Sequence, residues 1–273
     1  MTKPAGETGK IPLEDMSVLV LDGPDLSLSH QALSACAAAG IAIVTSDGRH
    51  LPNGLLLPLS DHSLHSSILK QQIASKVPNQ KRAWQEIVKA KIRSQADNLR
   101  YFQRDDSSLR KMIPFVRSGD PDNVEARAAA RYFESMFGFE FIRDRDASGI
   151  NACLNYGYSL ARSAVARAIV GAGLHPALGI HHHNQYNAFC LADDAMEPLR
   201  AIVDRRVRHL SLIDAIPDEL DPKTKRELIS LLGSFVDFDG LRYPLLVGLE
   251  RYAVSLRRAI CDGEPLKVPL PET

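Results

Sequence analysis

The densest group of side chains that could do chemistry lies in one stretch, GIHHHNQYNAFCLADDAMEP, residues 179–198. It contains three histidines and three acids within seventeen residues. Asp194 and Glu197 are three residues apart, so a helix there would put both carboxylates on one face. Two like charges this close repel each other unless a cation lies between them. Taken singly, the histidines could be a surface run and the acids a helix start; together they indicate a metal site.

A further carboxylate, Glu125, comes from a separate predicted helix. The same side of that helix carries mostly apolar residues: Ala128, Ala129, Tyr132 and Met136. A carboxylate on the core side is costly unless it is paired, hydrogen-bonded or bound to a metal. The alternative is that Glu125 only stabilises the first helical turn, where the helix dipole favours an acid.

Oxygen ligands from these acids and one imidazole nitrogen would suit Mn²⁺ or Mg²⁺ better than a structural zinc site. Such a site fits phosphodiester chemistry, because a divalent ion stabilises charge on phosphate oxygens. A non-haem iron site needs two histidines and one carboxylate, a geometry that adjacent histidines do not easily supply. The sequence has no GxxxxGK[ST], GxSxG or HExxH motif, so nucleotide hydrolases, serine hydrolases and zincins are poorly supported.

The sequence pattern around these residues predicts an α+β fold. Strands are expected over residues 17–21 and 41–45, a third strand near 55–57, and a helix over 29–39. From about residue 63 the pattern predicts helices over 80–102, 120–138, 151–173, 221–232 and 243–260. Asp-Pro pairs at 120–121 and 221–222 mark two helix starts. We therefore expect a small β-rich N-terminal domain (1–62), a connector (63–80) and a larger all-helical catalytic domain (81–273).

Charge is distributed unevenly along a chain whose net charge is zero. Between Lys81 and Arg117 there are ten Lys or Arg residues and four acids, a local net charge of +6. This segment could follow a nucleic-acid backbone, or it could be a solvated helix face. The candidate phosphate contacts are Lys89, Lys91, Arg93, Arg100 and Arg104. No apolar run is long enough to cross a bilayer and no secretion signal opens the chain, so we expect a cytoplasmic protein with reduced cysteines.

Several ordered motifs resemble the Cas1 family of CRISPR-associated integrases, in its type II-like version. They are IPLEDMSVLVLD, SDGRHLPNGLLLPL, NVEARAAARYFESMFG, NACLNYGYSLARSAVARA and GLHPALGIHHHNQYNAFCLADDAMEPLRAIVD. The resemblance runs through nearly the whole chain from Ile11. Only about ten residues precede IPLED, where the family has one or two further strands, so the N-terminal domain is expected to be shortened by about one hairpin, ~20 residues.

The resemblance implies a prokaryotic, metal-dependent DNA endonuclease and integrase that inserts short spacers into a CRISPR array during antiviral defence. It implies a homodimer that binds double-stranded DNA, both the incoming fragment and the repeat, and a small companion adaptation protein. Residue by residue, the family's metal ligands fall on Glu125, His182 and Glu197, and an additional catalytic acid falls on Asp194. A shift of the match to His181 or His183 stays open.

Two alternatives accompany this interpretation. A repair or branched-DNA nuclease would use the same site without integration, since hydrolysis and transesterification need the same metal geometry. A non-catalytic DNA-binding scaffold would carry a vestigial site. The presence of all four acidic and imidazole groups counts against the scaffold.

Overall fold

The computed structural model describes residues 10–23, 25–47, 52–58, 63–144, 147–213, 216–218 and 220–272. Its N-terminal unit contains three strands and one helix: β1 (Val18–Leu21), α1 (His30–Ala38), β2 (Ala42–Ser46) and β3 (Pro52–Leu56). The central strand β2 pairs with β1 in parallel and with β3 antiparallel. The parallel pairing requires a crossover, which α1 provides. These elements confirm the strands and the helix predicted for this region.

The rest of the described chain is mainly helical. Its helices are α2 (His65–Ile73), α3 (Val77–Tyr101), α4 (Ser107–Met112), α5 (Val124–Phe137), α6 (Ile150–Gly171), α7 (Cys190–Met196), α8 (Arg200–Ile213), α9 (Pro222–Ile229) and α10 (Leu245–Asp262). The long helices α3 and α6 lie in the core, and α10 packs against both of them. Helix α3 buries Trp84, Ile87, Val88 and Ile92 along one side. The predicted order, a small β-containing region followed by a larger helical region, is confirmed.

A small second sheet interrupts the helical region, which the prediction of an all-helical domain omitted. Strands β4 (Phe235–Phe238), β5 (Leu241–Pro244) and β6 (Leu270–Pro271) pair in the order β5-β4-β6. The turn between β4 and β5 places Asp239 at φ 59° and Gly240 at φ 77°. Positive φ at both central residues is the requirement of a tight hairpin turn, which explains the Asp-Gly pair.

The two Asp-Pro pairs behave differently. Asp221 caps α9 as predicted, and its carboxylate accepts a hydrogen bond from the Thr224 N–H at 2.6 Å. Helix α5 begins later than expected, at Val124, after a left-handed Asn123. Asp120 nevertheless caps α5, although it lies four residues before the first helical residue. Its carboxylate accepts hydrogen bonds from the backbone N–H groups of Val124 and Glu125, each at 3.0 Å.

Two polar contacts fasten the N-terminal unit to the helices. Arg167 of α6 donates from Nε to the carbonyl oxygen of Gly40 at 2.8 Å. Lys225 of α9 forms an ion pair with Asp22 at 2.8 Å, and both side chains are largely buried. The predicted connector, residues 63–80, holds α2 and the first turn of α3; its limits, like those of the two domains, stay predictions.

The cysteines agree with the expectation of reduced thiols, since Cys36, Cys153, Cys190 and Cys261 are all free. Among the described residues, no helix combines the length and the apolar character needed to cross a membrane.

Candidate metal site

Two carboxylates from distant segments meet at one lysine. Lys91 on α3 places its Nζ 2.6 Å from Glu125 Oε1 and 2.5 Å from Glu197 Oε2. The two carboxylates therefore lie within two hydrogen-bond lengths of each other. All three side chains are mostly shielded from solvent, with exposed fractions of 11% for Lys91, 18% for Glu125 and 7% for Glu197. A buried carboxylate pair requires a cation, and here an ammonium group supplies it.

Arg200 is the second cation of Glu197. Its Nε lies 2.8 Å from Glu197 Oε1, and its guanidinium stacks over the Tyr158 ring at 4.5 Å. Burial alone would raise the pKa of Glu197, but the charges of Arg200 and Lys91 outweigh it and lower that pKa to about 2. Burial also works against the charge of Lys91, whose pKa is nevertheless raised by Glu197 and Glu125. Glu197 is thus held as a carboxylate.

Asp194 organises the histidine loop. It is fully buried, and its Oδ2 accepts the backbone N–H groups of Ile180 at 2.8 Å and His181 at 2.9 Å. Its Oδ1 lies 2.5 Å from His182 Nδ1. This contact is the largest cause that raises the pKa of His182; burial opposes it, and the charges of Asp194, Glu197 and Glu125 add to it. Because this contact uses Nδ1, a metal would bind His182 at the opposite ring nitrogen, Nε2, as in typical metal-binding histidines.

Packing fixes the same loop from two sides. The His181 ring stacks on Trp84 with centroids 4.1 Å apart, and His182 meets the edge of the same indole at 5.9 Å. Burial lowers the pKa of His181, and the neighbouring His182 lowers it further. Gly179 lies so close to the loop that an added Cβ would stand 2.2 Å from the carbonyl oxygen of His182. Only glycine allows this approach of two backbone segments.

The chemistry of this donor set fits a divalent cation. Glu197 Oε2 is buried and accepts no well-aligned hydrogen bond, although the Lys91 ammonium lies close to it. Two carboxylates and one imidazole nitrogen are ligands that Mn²⁺ or Mg²⁺ accepts. As the side chains stand, no group of three or more His, Cys, Asp and Glu residues in the described ranges is arranged to hold a metal. Lys91 fills the space between the two carboxylates.

The structure brings Glu125 and Glu197 together at Lys91. His182 contacts Asp194 and lies near enough for the charges of Glu197 and Glu125 to raise its pKa. Asp194 and Glu197 have separate partners in this structure: Asp194 contacts His182, and Glu197 contacts Lys91 and Arg200. His183 is exposed beside them. The choice of His182 over its neighbours as the metal ligand stays a prediction.

The five candidate phosphate contacts separate into two groups. Lys91 is buried in the site itself. The others lie on or near the surface: Lys89 pairs with Glu86, Arg93 is exposed, Arg100 pairs with Asp106, and Arg104 donates to the Ser135 carbonyl.

Sequence reasoning missed three site residues. The sequence analysis names neither Trp84 nor Arg200, and it gives Lys91 only as a candidate phosphate contact. Lys91 lies four residues after Ile87 and three after Val88, which are both buried. That spacing puts Lys91 on the buried face of the helix, and it is the signal that could have identified it.

Comparison with known proteins identifies the family of this chain. The family model described as CRISPR associated protein Cas1 matches residues 1–219. The CRISPR-associated endonuclease Cas1 of Neisseria meningitidis serogroup C (strain 8013) is 36% identical over 274 residues, which cover 98% of this chain and 88% of that protein.

Two solved structures share the fold at low sequence identity. A casposase bound to its integration product superposes with a TM-score of 0.73 at 20% identity, covering 91% of this chain and 79% of that one. A partial Cas6-RT-Cas1–Cas2 complex gives a TM-score of 0.62 at 19% identity, covering 97% and 90%. On the strength of the family match and the 36% identical relative, this chain belongs to the Cas1 family of CRISPR-associated proteins.

Proposed function

We propose that this chain is a metal-dependent DNA endonuclease and integrase that inserts short DNA fragments into a CRISPR array. One observation carries the proposal: Glu125 and Glu197 converge on a single cation, within electrostatic reach of His182. The family membership gives these residues their context, because its curated relative is named an endonuclease. The expected cofactor is Mn²⁺ or Mg²⁺, held by Glu125, His182 and Glu197.

Each residue contributes a definable part of the chemistry. A bound divalent cation would supply positive charge for the phosphate oxygens and activate the attacking hydroxyl. Asp194 accepts the Nδ1 proton of His182, which directs the Nε2 lone pair outward. Arg200, held over Tyr158, keeps Glu197 ionised and oriented.

The reaction is a displacement at phosphorus. The 3′ oxygen of the incoming fragment forms a bond to a phosphorus of the repeat, and the bond from that phosphorus to the repeat's own 3′ oxygen breaks. The departing oxygen takes up a proton and becomes a new 3′ hydroxyl. If water attacks instead, the same displacement cleaves the strand, which is why endonuclease and integrase activity belong to one site.

The proposed partners follow from the relatives. The structural neighbours include a casposase bound to an integration product and a complex that contains Cas1 and Cas2. For this chain we infer double-stranded DNA as the substrate, a Cas2-like companion protein and a homodimer. Lys89, Arg93, Arg100 and Arg104 are the proposed phosphate contacts, and DNA affinity should fall steeply with salt if they act together.

The proposal is tested by joining a labelled short duplex to a supercoiled plasmid that carries the repeat, with Mn²⁺ and the companion protein. Glu125→Ala and Glu197→Ala should abolish the joined product, as should a chelator. Glu134→Gln is the matched control, because Glu134 is exposed on the same helix as Glu125. It should leave the product unchanged.

Other outcomes separate the alternatives. Metal-dependent nicking without joined product would favour a repair or branched-DNA nuclease. DNA binding with neither nicking nor joining would favour a scaffold. Joined product that persists in Glu197→Ala would overturn the assignment of the metal site.

A further inference from the structure

The Lys91 ammonium occupies the space in which the proposed metal ligands would meet a cation. It contacts Glu125 Oε1 at 2.6 Å and Glu197 Oε2 at 2.5 Å. Arg200 contacts the other oxygen of Glu197, Oε1. A metal that binds Glu125 Oε1 and Glu197 Oε2 would therefore compete with Lys91 and not with Arg200.

The two cations also differ in how firmly they are held. The Arg200 guanidinium is fixed by the Glu197 carboxylate and by stacking over the Tyr158 ring at 4.5 Å. Lys91 reaches the site on a flexible four-carbon chain, and an ammonium group makes no planar, paired contact. Its contact with Glu197 Oε2 is close but poorly aligned for hydrogen bonding. Lys91 is therefore the cation that can leave.

The balance of charge at the site also favours the departure of Lys91. The carboxylates of Glu125, Glu197 and Asp194 carry three negative charges at the site. Lys91 and Arg200 carry two positive charges. A divalent cation added beside both of these cations would leave a buried excess of one positive charge, which is unfavourable in a weakly polar environment. Withdrawal of one ammonium group reduces that excess.

We propose that Lys91 is an internal substitute for the metal: it holds Glu125 and Glu197 together in the metal-free protein and is displaced when the divalent cation binds. Lys91 thereby lowers the affinity of the site for metal and stabilises the metal-free fold. This inference rests on the proposed metal site and adds a positioning residue that acts through the ligands.

The test is Mn²⁺ binding by the full chain without DNA, measured from the electron paramagnetic resonance signal of free Mn²⁺ at constant pH and ionic strength. Lys91→Met should bind Mn²⁺ at least about tenfold more tightly than the wild type, because a competing buried charge is gone. Lys81→Met is the matched control, since Lys81 is an exposed lysine on the same helix and has no part in the proposed site. It should bind like the wild type.

Thermal unfolding gives a second measurement. Lys91→Met should be less stable than the wild type without metal and should gain more stability when Mn²⁺ is added. If Lys91→Met does not fold without metal, Lys91→Gln keeps a hydrogen-bond donor for the carboxylates and should show the same direction in both measurements.

The outcomes distinguish this inference from the proposed function. If the wild type binds Mn²⁺ through Glu125 and Glu197 but the Lys91 variants bind equally or more weakly, the displacement is overturned while the metal site stands. If neither the wild type nor the Lys91 variants bind Mn²⁺ through these carboxylates, the metal site and the displacement fail together.

Discussion

Asp194 contacts the histidine loop through both of its carboxylate oxygens. It therefore acts through His182, as a carboxylate that fixes the ring and its tautomer. The sequence spacing could not reveal this, because a separation of three residues predicts a shared helix face but not which distant groups each side chain contacts.

We expect Asp194→Asn to weaken Mn²⁺ binding and DNA nicking by about 10- to 100-fold, the usual effect of losing a carboxylate behind a metal-binding histidine. Asp193→Asn is the control, because Asp193 lies next to it on α7 and accepts from Asn187 Nδ2 at 2.7 Å, away from His182. Metal titration and nicking assays on both variants check this. Equal affinity in Asp194→Asn and the wild type would contradict the role.

A methyl group at residue 179 should distort the loop. The Cβ of Gly179→Ala would lie 2.2 Å from the His182 carbonyl oxygen and 2.9 Å from Cys190 Cβ, so backbone must move. We expect a loss of roughly 1–3 kcal/mol in the free energy of unfolding, together with impaired metal binding. Gly233→Ala is a matched control, because a Cβ there meets no atom within 4 Å. Urea denaturation of both variants measures the difference, and equal stabilities would refute the prediction.

At the scale of elements, the start of α5 determines where Glu125 points. Asp120 adopts a left-handed conformation, with φ 47°, and its carboxylate accepts the N–H groups of Val124 and Glu125. The same carboxylate thus completes the helix start and fixes the backbone of a proposed metal ligand.

Asp120→Ala should lower the free energy of unfolding by about 1–2 kcal/mol, the range for losing a helix cap. Alanine also tolerates the left-handed conformation poorly. Asp122→Ala, which removes only an exposed ion pair with Arg117, should cost no more than ~1 kcal/mol. Chemical denaturation compares the two, and a larger loss in Asp122→Ala would show that the cap is assigned to the wrong residue.

Local sequence patterns predicted most helices and strands, because caps, turns and the spacing of apolar residues determine where these elements begin and end. Strand β2 and helix α9 follow from a β-branched run and from an Asp-Pro cap. The β4–β5 hairpin could have been predicted from the Asp239-Gly240 pair between alternating apolar residues. The prediction of an all-helical domain did not use this pattern. The acids and the histidine of the candidate site were named from their types and from the family resemblance, and their role as metal ligands stays a prediction. Lys91 and Arg200 were not, because their roles depend on which distant carboxylates tertiary packing brings to them.

Across the whole molecule, a buried polar network joins four helices. Asn98 of α3 donates to Tyr132 OH of α5 at 2.9 Å, and Arg205 of α8 donates to Asn98 Oδ1 at 2.8 Å. Tyr158 of α6 donates to Asp204 of α8. Burial raises the pKa of Asp204 to about 6, although hydrogen bonds from Tyr158 and Tyr132 and the nearby cations oppose the shift.

This raised pKa has a defined effect on stability. The ordinary pKa is 3.8, so between about pH 4 and 6 the folded state keeps a proton that the unfolded state has lost. Stability contributed by the protonated group is complete below pH ~4 and is lost as the pH rises through about 6. We expect Asp204→Asn to gain stability relative to the wild type between pH 4 and pH 8, by roughly 2–3 kcal/mol.

Urea denaturation at pH 4 and pH 8 measures that gain, with the exposed Asp262→Asn as the control. A wild-type-to-variant difference that is the same at both pH values would contradict the raised pKa of Asp204.

The order of residues along the chain has a consequence for how the enzyme is made. Lys91, Glu125 and Glu197 leave the ribosome in that order, and Lys91 can pair with Glu125 before the last acid has been translated. A nascent chain that ends before Asp194 lacks both the second carboxylate, Glu197, and the Asp194 side chain that holds the histidine loop. The proposed metal site is therefore completed only after most of the polypeptide has been synthesised.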